Sequence, residues 1–518
     1  MRTSDMAAGE IRIRLEDIPL GGMAEGKAGD EAALFVRDGD GVRAFQAKCP
    51  HYGAPLAKGV LCGKRVYCPW HKAAFSIADG ALLEPPALES LKRYPVRIEG
   101  EEAVARLEPI EADTPRHPSR IDHLVVIGTG AAAVAAVTTL RREGFSGRIT
   151  MIGLEGHPPY DRPMLSKNFL AKPTPPEKAL LEPDFYAAHG IEAVQGRATR
   201  IDPAERSVTL EDGRSLSGDA LLIATGSRAA VPDFPGAGLD GVLTLRSLDD
   251  AVDLSARAKT ARRIVVVGGG FIGLEAAAFL TKRGRTVTVL AREEFPLAKR
   301  FGEAVAGGLK RFHAGNGVTF RQGEVARIVG EGAVRAVALK EGGEIEADLV
   351  LIGAGAAPET GLIAGVAPRE DGGLAVGSDL ALAPNVWIAG DIAAFPEHGS
   401  GTCARIEHWR LAQQHGMHVA RAILGEAKPF KETPFFWSNQ GEKRLDYGGY
   451  APGFDRIILR GDADALDFIA FYVKDERAVA ACSIGRNAEF TAFLHLLGEE
   501  RVPSPGELDR GADLTGLL

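Results

Sequence analysis

Apolar positions fall into two kinds of pattern along this chain. In the first, an unbroken apolar run enters glycines and then a longer alanine-rich stretch. The run at 123–127 (HLVVI) leads into Gly128-Thr129-Gly130-Ala131-Ala132-Ala133, which predicts a helix through Arg142 and a strand at 148–152. The order recurs 140 residues on, with 263–267 (RIVVV), Gly268-Gly269-Gly270-Phe271-Ile272-Gly273, a helix to Arg283 and a strand at 286–290. Such runs read as parallel strands buried on both faces, and the strand–helix–strand order as βαβ units. In the second pattern, short strands lie between turn residues. The segments 34–37 and 42–45 flank Asp38-Gly39-Asp40-Gly41, a hairpin signal. Gly63-Lys64 turns the chain into 65–67, and 94–98 and 103–107 flank Gly100, predicting a small antiparallel β domain. Segments 457–459, 468–473 and 479–484 read as strands of a last domain, with a helix at 487–497. Between the two patterns, 108–120 (EPIEADTPRHPSR) is rich in proline and charge and reads as a linker.

A length of 518 residues suggests about three or four domains with ample core. The 45% hydrophobic and 25% charged residues are those of an ordinary globular protein. A net charge of −8 with scattered Lys and Arg argues against nucleic acid as a partner. The first 15 residues lack the apolar run of a signal peptide, and no stretch of about 20 apolar residues offers a membrane span. Five cysteines make no disulfide framework, so a cytoplasmic location is expected.

The candidate chemistry starts at Cys49-Pro50-His51 and Cys68-Pro69-Trp70-His71, a C-x-H and a C-x-x-H separated by sixteen residues. Two thiolates and two imidazoles on tight loops match the ligands of a Rieske [2Fe–2S] centre, in which the two His raise the potential. A structural Cys2His2 zinc site is the alternative, but its pairs are usually C-x2-4-C and H-x3-5-H, whereas here each pair mixes Cys with His. The glycine turns after 127 and 267 present amides at a helix N-terminus, where a pyrophosphate binds. Gly128, Gly130 and Ala133 form one such motif, Gly268, Gly270 and Gly273 the other, and Glu155 stands at the distance expected to reach a ribose. One motif alone also arises for packing. Two imply two dinucleotides, most naturally a flavin facing a nicotinamide.

The loops 49–56 (CPHYGAPL) and 68–71 (CPWH) resemble those of Rieske ferredoxins. They lack the extra Cys pair of respiratory-type domains, and Cys62 reads as a small apolar filler. The likeness is to the ferredoxin subclass, which implies a potential toward the lower end of the Rieske range. From 121 onward the chain resembles the flavoprotein family of oxygenase-coupled ferredoxin reductases and apoptosis-inducing factors. The carriers are 160–167 (YDRPMLSK), 221–226 (LLIATG), 349–355 (LVLIGAG), 386–391 (VWIAGD), 407–416 (EHWRLAQQHG) and 435–440 (FFWSNQ).

The resemblance implies a flavin-contacting loop with Arg162, Pro163 and Lys167. It also implies glycine turns at Ala224, Thr225, Gly226 and Gly355, and an Asp391 that, after Gly390, hydrogen-bonds the flavin ribityl chain. A Lys167–Glu275 pair beside flavin N5 would fit, against the plainer readings of Lys167 as a surface lysine and Glu275 as helix surface. Trp437 reads either as a stack on the flavin edge or as core packing. The expected fold is multidomain: a small antiparallel β Rieske domain, two Rossmann-like α/β dinucleotide-binding domains and an α+β C-terminal domain. Expected boundaries are 1–107 (Rieske), 108–120 (linker), 121–245 and 376–430 (FAD), 246–375 (NAD(P)) and 431–518 (C-terminal).

No cysteine lies between Gly128 and Cys403, so hydride cannot pass to the protein dithiol that disulfide reductases on this scaffold use. Ala291 stands where an acidic residue normally binds the ribose 2′-hydroxyl, and Arg292 after it suits a 2′-phosphate, although Glu293 and Glu294 oppose that. The favoured function is an NAD(P)H-dependent reductase passing electrons through FAD to its own Rieske cluster and on to a redox protein or oxygenase. Two alternatives stand: reverse flow from an outside donor to NAD(P)+, and a redox-sensing interaction protein with little turnover. The sequence does not give the oligomeric state.

Overall fold

A computed structural model describes residues 9–39, 41–111, 119–172 and 174–518. Residues 1–8 of the expected leaderless start, Asp40 of the hairpin turn and 112–118 of the expected linker lie outside the described residues.

The front of the chain is antiparallel β. Glu31–Asp38 and Gly41–Gln46 pair as the predicted hairpin, with Asp38 opposite Gly41. They form a four-stranded sheet with Gly22–Ala28 and Arg93–Tyr94. A second sheet orders Glu10–Arg14, Glu102–Arg106 and Val96–Glu99, and Ile11, Phe35 and Ala103 fill the space between the two. The single strand expected over 94–98 is divided at Pro95: Tyr94 pairs with Ala44 and Val96 with Ala105. Proline has no N–H for a ladder, so the strand changes sheets there. A small sheet of Val60–Cys62, Arg65–Tyr67, Ala74–Ser76 and Leu82–Glu84 carries the Cys–His loops at its end.

Both βαβ units form where the apolar pattern puts them. Parallel strands Ile191–Gln195, Arg148–Gly153, His123–Ile127, Ala220–Ile223 and Val386–Ile388 make one sheet, edged by antiparallel Ala381–Ala383. Val242–Leu243, Leu349–Ile352, Arg263–Val267, Thr286–Ala291 and Val318–Gln322 make an all-parallel second one. Helices Ala131–Arg142 and Phe271–Lys282 follow the glycine turns. Gly128 and Gly268 show why those turns need glycine. Their φ angles are +116° and +110°, and a Cβ would lie 2.2 Å from the Ala224 carbonyl oxygen and 2.3 Å from that of Gly353. The helix Trp409–Ile423 crosses Ala131–Arg142 at Gly416, where a Cβ would come within 2.1 Å of the Ala132 oxygen.

The last segment is a five-stranded antiparallel sheet ordered Phe435–Gln440, Lys443–Gly449, Arg477–Ile484, Asp467–Lys474 and Arg456–Asp462, covered by helix Asn487–Gly498. The front β unit does not stand apart. Its core of Leu34, Phe45, Leu56 and Phe75 runs into Ala135 and Met417 of the two crossing helices.

Candidate functional site

The two Cys–His loops fold alike. The Cys49 N–H donates to the Ala54 carbonyl at 2.8 Å and the Gly53 N–H to the Cys49 carbonyl at 2.9 Å. In the other loop Cys68 N–H reaches Ala73 at 2.8 Å, and Lys72 N–H reaches Cys68 at 3.2 Å. These turns lay Cys against Cys and His against His. Cys49 and Cys68 lie close enough for each to shift the other's thiol, and His51 Nδ1 faces His71 Nδ1 at 3.1 Å. The Cys49 contact and the amides of His71 and Trp70 push the Cys68 thiol down, while the Cys68 contact and burial push the Cys49 thiol up, so that one proton is held between the two sulfurs. Burial holds His51 and His71 below the usual imidazole range, so both are neutral with a lone pair available. Among the described residues, no three His, Cys, Asp or Glu side chains converge on a single-metal position. Two S and two N in separate pairs suit a two-iron cluster with two protein ligands on each iron.

Behind the His pair lies a cavity of about 1300 Å³. It exceeds the roughly 300–1,000 Å³ of a site for one small ligand. Gly128, Gly130, Glu155, Arg162, Pro163, Lys167, Ala224, Thr225, Gly226, Gly270, Glu275, Gly355, Gly390, Asp391 and Trp437 all line it. Ala133, Gly268 and Gly273 do not. At Gly273 a Cβ would lie 2.4 Å from the Gly268 oxygen, so its smallness serves helix–strand contact. Arg292 also lies elsewhere, in a separate recess with Gln322 and Lys340, 3.8 Å from Glu324. Glu293, which opposed a 2′-phosphate in the sequence, pairs with Lys299 at 3.1 Å. Both glycine turns open into the one cavity, Gly130 and Gly270 each at a helix N-terminus. Ser227 Oγ, Arg405 Nε and His408 Nδ1 on its wall are buried without a partner, which fits a wall meant to face a polar molecule.

Lys167 Nζ meets Glu275 Oε2 at 2.9 Å. The carboxylate is 2% exposed and also accepts from Ser166 Oγ at 2.5 Å, Ser438 Oγ at 2.6 Å and the Asn439 amide at 3.1 Å. Neither residue is on the surface, contrary to the plainer readings. Asp391 accepts from Arg246 at 3.0 Å, and Glu155 is engaged by Tyr160 at 2.7 Å and Arg162 at 3.2 Å. Trp437 lines the cavity while its ring lies 4.4 Å from that of His71, centroid to centroid.

Sequence reasoning missed Arg246, which no local pattern marks, the roles of Ser166 and Ser438 within the 160–167 and 435–440 segments, and the contacts that seat the β unit. There Arg410, 2% exposed, donates to Pro85 O at 2.7 Å and Glu84 at 3.1 Å, and Gln414 to Glu84 at 2.7 Å. Lys72, fully buried with φ +58°, reaches Asp446 at 3.4 Å and Asn487, and burial lowers its ammonium to about 8.

Three family models match: Rieske [2Fe-2S] domain over 12–95, pyridine nucleotide-disulphide oxidoreductase over 122–416 and reductase C-terminal over 435–518. Human (Homo sapiens) apoptosis-inducing factor 3 is 34% identical over 516 residues, covering 96% of this chain and 85% of that one. The ferredoxin–NAD(+) reductase component of the p-cumate 2,3-dioxygenase system of Pseudomonas putida is 34% identical, covering 70% of this chain and 90% of its own. The crystal structure of the ferredoxin reductase for the CYP199A2 system of Rhodopseudomonas palustris superposes with a TM-score of 0.73 at 31% identity. That match covers 76% of this chain and 99% of that one. The five cysteines are free. The chain belongs to the pyridine nucleotide-disulphide oxidoreductase family, as a ferredoxin-reductase-type, FAD-dependent oxidoreductase that carries a Rieske [2Fe–2S] domain.

Proposed function

We propose that the protein passes electrons from NAD(P)H through FAD to its own Rieske cluster, and on to a redox protein or oxygenase. The observation that carries this is Trp437, which lines the cavity while its ring packs on His71. FAD supplies the conversion, accepting two electrons as hydride and releasing them singly. Cys49, Cys68, His51 and His71 would hold the cluster, the Cys pair on one iron and the neutral imidazole pair on the other. The amides after Gly128 and Gly268 cradle the two pyrophosphates, with Asp391 on the flavin side chain and Arg162 and Pro163 along the flavin. The Lys167–Glu275 pair sets a fixed dipole at the reacting end of the cavity, where it orients nicotinamide and steadies charge on reduction. Our division of the chain is 1–107 for the Rieske domain, 121–245 with 376–430 and 246–375 for two Rossmann-like domains, and 431–518 for the C-terminal domain. The acceptor class follows the oxygenase-system relative. With Cys49 and Cys68 assigned to the cluster, the other three cysteines leave no disulfide framework, which favours a reducing compartment, and we assign the cytoplasm.

Anaerobic titration with NADH and then NADPH, following flavin bleaching optically and the cluster by EPR, tests the relay. Both centres should be reduced, the cluster only when FAD is bound. A bleached flavin beside a cluster that stays oxidised sinks the proposal.

A further inference from the structure

The flavin-side loop touches the cluster loops through one carboxylate. Asp161 precedes Arg162 and is 3% exposed. Its Oδ2 accepts from the Tyr52 hydroxyl and lies 3.9 Å from His51 Nε2, while its Oδ1 is buried without a hydrogen-bond partner. The nearby cations are spent elsewhere: Arg162 on the Arg246 carbonyl and Glu155, Lys167 on Glu275 and the Pro163 carbonyl. Among the described residues, the one basic side chain within 4 Å of Asp161 is the neutral His51 imidazole. A buried carboxylate with no cation is costly to hold, and packing alone gives no reason for it.

The inference rests on the reading that His51 and His71 bind a cluster iron. Their Nδ1 atoms face each other, so the proton of the neutral His51 imidazole sits on Nε2, the atom turned toward Asp161. A carboxylate behind a metal-bound His fixes the ring and raises its basicity. A negative charge in a site of low dielectric also opposes the arrival of an electron. We propose that Asp161 is a positioning residue that lowers the reduction potential of the cluster, and that it does so only while the Rieske part is seated on the flavoprotein, because the flavoprotein contributes it. The step concerned is the addition of one electron to the cluster, with no bond made or broken. Docked, the cluster is a stronger reductant toward whatever follows it.

The test is an EPR-monitored redox titration with mediators on the full-length holoprotein, with the FAD potential read optically. In Asp161→Asn, which keeps the shape and an acceptor for Tyr52, the cluster midpoint should move to higher potential and the FAD midpoint should stay. Asp161→Glu should restore the low value. In Tyr52→Phe the carboxylate loses its donor and its full charge faces the cluster, so the midpoint should fall. An unchanged midpoint in Asp161→Asn overturns the proposal. Should that variant lose its cluster, an unchanged midpoint in Tyr52→Phe overturns it. The relay reading fails separately, when mediators reduce the parent cluster but NAD(P)H does not. A parent protein that assembles no [2Fe–2S] cluster removes both.

Discussion

Glu275 takes donors from two other parts of the chain: Ser166 and Lys167 of the 166–167 loop, and Ser438 and Asn439 of strand Phe435–Gln440. Glu275→Ala would leave the buried Lys167 ammonium without a counter-charge and two hydroxyls without their acceptor, so stability should fall by about 3–5 kcal/mol, as for other buried pairs that lose one member. Urea unfolding of the FAD-loaded protein checks this. Trp437 acts at the other wall. Trp437→Ala should leave NAD(P)H-driven flavin bleaching intact while slowing cluster reduction several-fold, measured by stopped-flow and freeze-quench EPR. An equal loss in both would mean that the ring only packs. The sequence made Lys167 and Glu275 candidates through their motifs, and it left Trp437 open between the flavin edge and core packing. It gave no sign that Trp437 also meets His71, because the two lie 366 residues apart and no local pattern records such a contact.

At the scale of elements, the two glycine-turn units were legible because a buried parallel strand and the turn after it leave a continuous, local signature. The crossing of helices Ala131–Arg142 and Trp409–Ile423 was not. Its marker is a single glycine, Gly416, within an ordinary helical pattern. Gly416→Ala should push against the Ala132 backbone and cost about 1–3 kcal/mol, as overpacking does. Because Ala132 lies in the first turn after Gly130, FAD content at purification should fall with the melting temperature. The divided strand at Pro95 is legible in retrospect, since a proline inside an apparent strand marks an edge or a change of sheet.

Taken as a whole, the molecule seats its Rieske part through Arg410 and Glu84, Lys72 and Asp446, and the continuous core through Ala135 and Met417. Arg410→Ala should unseat it while leaving the flavoprotein reducible. Small-angle scattering should show a more extended particle, and the cluster should reduce more slowly with NAD(P)H. Cys68→Ser should remove the cluster yet preserve NAD(P)H oxidation with a small-molecule acceptor, since the flavin cavity does not include Cys68. Among the described residues no helix is long and apolar enough to cross a membrane.

By itself the sequence named the candidate chemistry: a Rieske-type set of two Cys and two His, two glycine turns suited to a pyrophosphate, and no cysteine between Gly128 and Cys403 to form a dithiol. Those features are local, because a metal pair or a phosphate cradle is built within a few residues and repeats wherever the same backbone geometry is required. Only the tertiary structure decided how the centres face each other. It paired Cys with Cys and His with His, set Trp437 between His71 and the cavity, and brought Asp161 to His51. These contacts join residues far apart in the chain through surfaces that pack on one another. Their geometry depends on how buried charge and apolar volume are matched across the seam, which no single segment carries.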